Sequence, residues 1–125
     1  MNYNGIEKAT GPIPVKVEKE KNGDILVFRL SGDIAYGFHQ ALTDDFEEAL
    51  KDDKLKIAID LKRINFVDSS GLGCFVKYGL IINEKGGLLK LFNVPEPTMR
   101  FFNVTRMGDI LSIYTDEKEA LSSDW

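Results

Sequence analysis

The sequence predicts one α/β domain on a mixed sheet, and three observations lead to it. Two short segments of strand character flank a turn signal at Asn22-Gly23. The chain then alternates between helical and strand periodicity, in the order helix, strand, helix, strand. Its 125 residues, 43% of them hydrophobic, suit a single core. Segments joined by a tight turn pair antiparallel, whereas a strand, helix and strand in succession form a βαβ unit with parallel strands and a right-handed crossover.

Each element has its own signal. Gly5, Gly11, Pro12 and Pro14 fall in a stretch without periodicity, which marks 1–14 as an extended arm and 15–125 as the domain. Val15 and Val17 alternate with Lys16, Glu18 and Lys19, as on an edge strand, while residues 25–30 carry apolar side chains for both faces, as inside a sheet. Phe38, Leu42, Phe46, Ala49 and Leu50 lie on one helical stripe, with Asp44, Asp45, Glu47 and Glu48 on the wet face. Leu55, Ile57, Ile59 and Leu61 alternate as a third strand. Residues 70–85 place Leu72, Phe75, Val76, Gly79, Ile82 and Asn83 on one side of a helix that stops at Gly86-Gly87. Residues 88–92 make a fourth strand, ended by Val94-Pro95, and Pro97 suits the first turn of a helix through 98–104 that closes near Gly108. A short strand over 110–114 follows. Asp116 with Glu119 three residues on then resembles a capping box for a last helix through Leu121, leaving Trp125 at a mobile end.

Composition excludes several function classes. Lys and Arg number 16 against 20 Asp and Glu, a net charge of −4 with no basic block, so nucleic acid is not expected as a partner. One cysteine, Cys74, forms no internal disulfide, and with one histidine, His39, the ordinary zinc ligand sets cannot be assembled; neither metal nor other cofactor is expected. No apolar run approaches the ~18 residues of a membrane span, and 1–10 lacks the marks of an export signal, so a cytoplasmic protein without membrane contact is expected. His39 is the only imidazole base and falls at the start of a helical pattern, where a solvent-facing role is expected; that disfavours a hydrolase. Cys74, one turn into the second helix, is expected as a small buried hydrophobe.

The sharpest signal is the segment 64–73, at the carboxyl end of a parallel strand, where open α/β sheets place their sites. Asp68 and Ser69 are both good N-caps, and capping by itself explains much of the segment. Gly71-x-Gly73 without an adjacent lysine is too little for a nucleotide phosphate loop, and neither serine has the glycine two residues earlier that a nucleophile elbow needs. A serine hydroxyl exposed at a helix N-terminus also suits a phosphoacceptor. The phosphate would add about −1.5 to −2 charges and meet free backbone amides.

Phe66, Val67, Asp68, Ser69, Ser70, Gly71, Leu72 and Gly73 together resemble the phosphorylation motif of the bacterial anti-sigma factor antagonists, single STAS domains, and the order of elements extends the resemblance over 15–121. The resemblance implies a mixed four- to five-stranded sheet, antiparallel in its first hairpin and parallel after it, with helices mainly on one face. It also implies a protein switch rather than an enzyme. The unphosphorylated antagonist binds an anti-sigma factor that is itself a serine kinase, which releases a sigma factor; phosphorylation of the serine after the motif's Asp ends that binding, and a phosphatase restores it. The acceptor is then Ser69, with Ser70 the alternative. The partner surface is expected at Asp33, Asp68, Ser69, Ser70, Gly71 and Leu72, on a monomer or weak dimer. The family's Gly-acidic-apolar-Asp turn stands here as Gly32, Asp33, Ile34 and Ala35, so the second carboxylate, which in relatives aids phosphorylation, is replaced by an alanine expected to be exposed. The alternative function is a non-catalytic STAS scaffold, or a sensor whose turn binds an anion or small ligand without being phosphorylated.

Overall fold

The computed structural model describes residues 11–125; most of the expected arm, residues 1–10, lies outside them. Five strands form one sheet in the order β1-β2-β3-β4-β5. β1 (Lys16–Asn22) pairs antiparallel with β2 (Ile25–Ile34) across a two-residue loop, Gly23 and Asp24, with Gly23 at φ +64°. β3 (Lys56–Val67), β4 (Leu88–Phe92) and β5 (Ser112–Tyr114) then add parallel, so the mixed sheet expected from the sequence is the one observed.

Three helices cover one face: α1 (Gln40–Ala49), α2 (Ser69–Glu84) and α3 (Glu96–Thr105). Their apolar stripes meet Phe28, Leu30, Ile57, Ile59 and Leu91 of the sheet in the main core. At its centre Phe46 of α1 lies between Phe28, 5.7 Å away between ring centroids, and Tyr78 of α2, stacked at 4.6 Å. Burial of each such ring stabilises the fold by roughly 1.5–3 kcal/mol, and aromatic pairing adds to it. Tyr78, not Gly79 or Asn83, completes the buried stripe of α2, and its hydroxyl donates to Glu47 of α1 at 2.6 Å. The short helix α4 (Glu117–Ser122) covers the other face over Val27, Ala58 and Phe92.

Local signals set the helix ends. Lys85 closes α2, Gly86 follows at φ +81°, and the N–H groups of Gly86 and Gly87 donate to the carbonyls of Asn83 and Ile82, the Schellman pattern that the paired glycines foretold. α3 runs to Thr105, one residue past the expected 104, and is closed by Arg106 at φ +63° rather than by Gly108. In α4 the Asp116 carboxylate accepts from the Glu119 N–H, and Glu119 accepts in turn from the N–H of Thr115, one residue before the expected partner. Trp125 is not a free end: its ring lies 4.1 Å from the Lys90 ammonium and its indole N–H donates to the Leu121 carbonyl.

The strand that carries the motif is longer than its alternation suggested. β3 runs on to Val67, and its register against β2 slips twice, between Arg29 and Ser31 and between Gly32 and Asp33. Each slip inserts an extra β3 residue, so the inward residues become Leu61, Ile64 and Val67 at a spacing of three. The bulged end delivers Asp68 directly to the start of α2.

Candidate functional site

Asp68 is the hub of the site. Its backbone N–H donates to the Ile34 carbonyl, which fixes the end of β3 beside the end of β2. Its carboxylate caps α2: Oδ1 accepts from the Gly71 N–H at 3.0 Å and from the Ser70 hydroxyl at 2.6 Å. Oδ2 accepts from the Tyr36 N–H at 2.9 Å, which ties the loop after β2 to the helix N-terminus. Burial raises the carboxyl's pKa, but the Ser70 hydroxyl and the N–H groups of Tyr36, Gly71 and Ser70 outweigh it and hold the group below the usual aspartate range.

That depression has a measurable consequence. Because the folded carboxyl titrates below the unfolded one, its contribution is complete above the unfolded value of about 3.9 and is lost as the pH falls through the lower folded value. Asp68→Asn cannot ionise, and its amide cannot accept at both positions. The variant is expected to lose about 1–2 kcal/mol at neutral pH and to show a flatter decline of stability below pH 4. Denaturant titrations from pH 6 to pH 2 on both proteins measure it; parallel acid limbs would contradict the assignment.

The expected site residues divide into two layers. Ser69 is exposed, in the first turn of α2, and makes no side-chain hydrogen bond among the described residues; Ser70 is half-buried with its hydroxyl committed to Asp68. Gly71 and Leu72, expected on the partner surface, are buried: Leu72 belongs to the main core, and the Cα of Gly71 sits so close to β2 that an added Cβ would stand 2.5 Å from the Ile34 carbonyl oxygen. They form the base of the site because the bulged end of β3 starts the helix directly against β2. Asp33 is also buried, at 7% exposure, and its Oδ2 accepts the Ile13 N–H at 2.6 Å, while its own N–H donates to the Ile13 carbonyl. It anchors the arm. The free amides expected for a phosphate are largely taken, since the N–H groups of Gly71 and Leu72 both donate to Asp68.

Ala35 is not the exposed turn residue expected. It is 3% exposed, beneath a β-turn in which the Phe38 N–H donates to its carbonyl and Gly37 takes φ +82°. The turn folds back over the end of β2, so an aspartate there would bury a carboxylate. The same turn presents Tyr36, 82% exposed, and Phe66 at the end of β3 is 48% exposed. Neither was among the residues expected at the partner surface. The signal available for Phe66 was the three-residue spacing of Leu61, Ile64 and Val67, which turns the residues between them outward. The arm adds Ile13, 54% exposed, pinned by Asp33.

Chemistry of other kinds finds little support in this geometry. Burial pushes the Cys74 thiol up to about 11, far from a reactive thiolate, in keeping with the expected apolar role. His39 occupies the N-cap position of α1 and makes no side-chain cap there. Among the described residues no group of three or more His, Cys, Asp or Glu side chains is placed to hold a metal ion, and no helix is long and apolar enough to cross a membrane.

Comparison with known proteins agrees with the geometry. The STAS domain family matches residues 16–120. An anti-sigma F factor antagonist of Paenibacillus polymyxa is 30% identical over 109 residues, 86% of this chain and 93% of the relative. Among solved structures, an anti-sigma factor antagonist from Mycobacterium paratuberculosis superposes with a TM-score of 0.76 at 19% identity, covering 86% of this chain and 92% of that one. The Bacillus cell fate determinant SpoIIAA in its phosphorylated form gives 0.64 at 21% identity, over 85% and 96%. These two show the shared fold. The chain belongs to the STAS domain family, as an anti-sigma factor antagonist.

Proposed function

We propose that this antagonist is a phosphorylation switch acting through Ser69. Unphosphorylated, it binds an anti-sigma factor serine kinase over the surface formed by Ser69, Ser70 and the exposed side chains of Tyr36 and Phe66, and so releases a sigma factor; Asp33, Asp68, Gly71 and Leu72 hold that surface in shape. The observation that carries this reading is the contrast between the two serines: Ser69 is exposed at the start of α2, while the Ser70 hydroxyl is held by Asp68. A phosphoryl group on Ser69 adds about −1.5 to −2 charges next to the ionised Asp68, in a surface rimmed by the exposed rings of Tyr36 and Phe66. Binding fails because the complex would have to bury that charge. Removal of the phosphate by a phosphatase restores the docking surface. A similar fold is known in a phosphorylated form, that of SpoIIAA, which supports the switch.

The test uses the anti-sigma F factor of Paenibacillus polymyxa as the probe. With ATP present, mass spectrometry is expected to find one phosphate, on Ser69; Ser69→Ala should abolish it and Ser70→Ala should retain it. Ser69→Asp should weaken the complex at least tenfold while the fold stays intact. Phosphorylated protein that binds as well as the unmodified form would overturn the switch.

A further inference from the structure

The end of the arm is fastened to the domain by polar bonds before any apolar burial begins. Residues 11–14 are all exposed, and Val15 is the first to be buried. Yet both main-chain groups of Ile13 are spent on one residue: its N–H donates to Asp33 Oδ2 at 2.6 Å, and its carbonyl accepts the Asp33 N–H at 2.8 Å. Pro14 bridges Asp33 and has no N–H, so the donors of 13–15 are Ile13 and Val15, and the Val15 N–H goes to the Phe38 carbonyl at 3.0 Å. The chain beneath leaves room for this crossing. Gly32 stands at φ +94°, and an added Cβ there would lie 2.7 Å from the Pro14 carbonyl oxygen.

Residues 13–15 thus staple the two ends of the stretch 33–38. Between those ends the turn has its own bond from the Phe38 N–H to the Ala35 carbonyl, and at its corner the Tyr36 N–H donates to Asp68 Oδ2 at 2.9 Å. Asp68 in turn holds Ser70 and Gly71 at the start of α2. We propose that Asp33 is a positioning residue that acts on the Ser69 surface through the arm: it holds Ile13, residues 13–15 staple the turn, and the stapled turn keeps Tyr36 on Asp68. Its carboxylate, in a residue only 7% exposed, is spent on the arm rather than presented to a partner. The arm is therefore an input to the site, because whatever displaces Ile13 from Asp33 loosens the surface beside Ser69 without touching it. That consequence rests on the switch proposed for Ser69, whereas the staple itself does not.

The experiment reads amide hydrogen exchange residue by residue on the full chain, together with affinity for the Paenibacillus polymyxa anti-sigma F factor. Asp33→Ala removes the acceptor and Ile13→Pro removes the donor with Asp33 left in place. In both, exchange at Tyr36 and Phe38 is expected to accelerate roughly tenfold more than at Leu91 in the middle of the sheet, and affinity is expected to fall at least threefold. Asp33→Asn keeps an oxygen that accepts the Ile13 N–H, and Ile13→Ala keeps the N–H itself, so both are expected to behave as wild type. Equal acceleration at Tyr36, Phe38 and Leu91 would mean that the bond serves the whole fold and would overturn the proposal, as would an Asp33→Asn that behaves like Asp33→Ala. Weakened binding by Ile13→Ala would show direct contact of that side chain with the partner and would overturn the positioning role. Unchanged affinity in all four variants would overturn the arm as an input while leaving the Ser69 switch in place. Absence of binding by the wild-type protein would overturn the proposed function, and the exchange rates would still decide the staple.

Discussion

Replacing Gly71 by alanine is expected to destabilise the fold by roughly 2–4 kcal/mol and to dismantle the site with it. The new Cβ would stand 2.5 Å from the Ile34 carbonyl oxygen, 2.6 Å from Ile34 Cγ2 and 2.9 Å from Val67 Cγ1. The Ile34 carbonyl is main chain of β2 and already accepts the Asp68 N–H, so it cannot yield without opening the junction of β2 and β3. α2 must lift instead. Lifting it pulls the Gly71 N–H off Asp68, and the tie from Asp68 to Tyr36 loosens because the same carboxylate makes both bonds. Urea unfolding should therefore show a lower midpoint, and partner affinity should fall even where the variant is fully folded. A loss below about 0.5 kcal/mol, the range of an ordinary surface change, would mean that α2 is not held against β2 as tightly as these distances require. Two residues on, at Gly73, an added Cβ would meet nothing within 4 Å, so alanine there is expected to have the opposite sign and stabilise the helix.

The two glycines show where the sequence was legible and where it was not. Their place in a motif at a strand-helix junction could be read directly, as could the hairpin turn at Gly23 and the Schellman end at Gly86 and Gly87, because those features are decided by neighbouring residues. The division of the motif into a buried base and an exposed rim could not. It depends on two bulges in β3, and a bulge is a property of the pairing with β2 rather than of either strand alone. The same holds for Ala35, whose burial follows from how the turn over 35–38 folds back, and for Asp33, whose carboxylate turns to a main-chain N–H twenty residues earlier. At the other end of the chain, Trp125 had no local reason to be ordered; its partner is a lysine on β4.

That lysine sets up the second large effect. Lys90 is 0% exposed, on the face of the sheet covered by α4. Its ammonium lies 4.5 Å from the Tyr114 ring and 4.1 Å from the Trp125 ring, and it donates to the carbonyls of Ala120 at 2.9 Å and Ser123 at 3.3 Å. Burial pushes its pKa below the ordinary lysine range, with Asp124 pulling the other way. The charge is tolerated because two aromatic faces and the carbonyl end of a helix surround it. At its other end α4 is fastened by Glu117, which accepts from Arg29 at 2.9 and 3.0 Å. Lys90→Ala removes both the ammonium and the stem that fills this layer, so a loss of roughly 2–4 kcal/mol is expected, from the cavity and the unpaired carbonyls. Lys90→Met keeps most of the volume and drops the charge with its two hydrogen bonds, and about half that loss is expected. Trp125 is the only tryptophan, so its fluorescence reports on the C-terminal end of the cover alone. Both variants should shift its emission to the red and speed hydrogen exchange in α4, while the surface at Ser69, on the opposite side of the sheet's main core, keeps its affinity for the partner. Unchanged Trp125 emission in both variants would mean that apolar packing on Val27, Ala58 and Phe92 holds α4 without help from the ammonium.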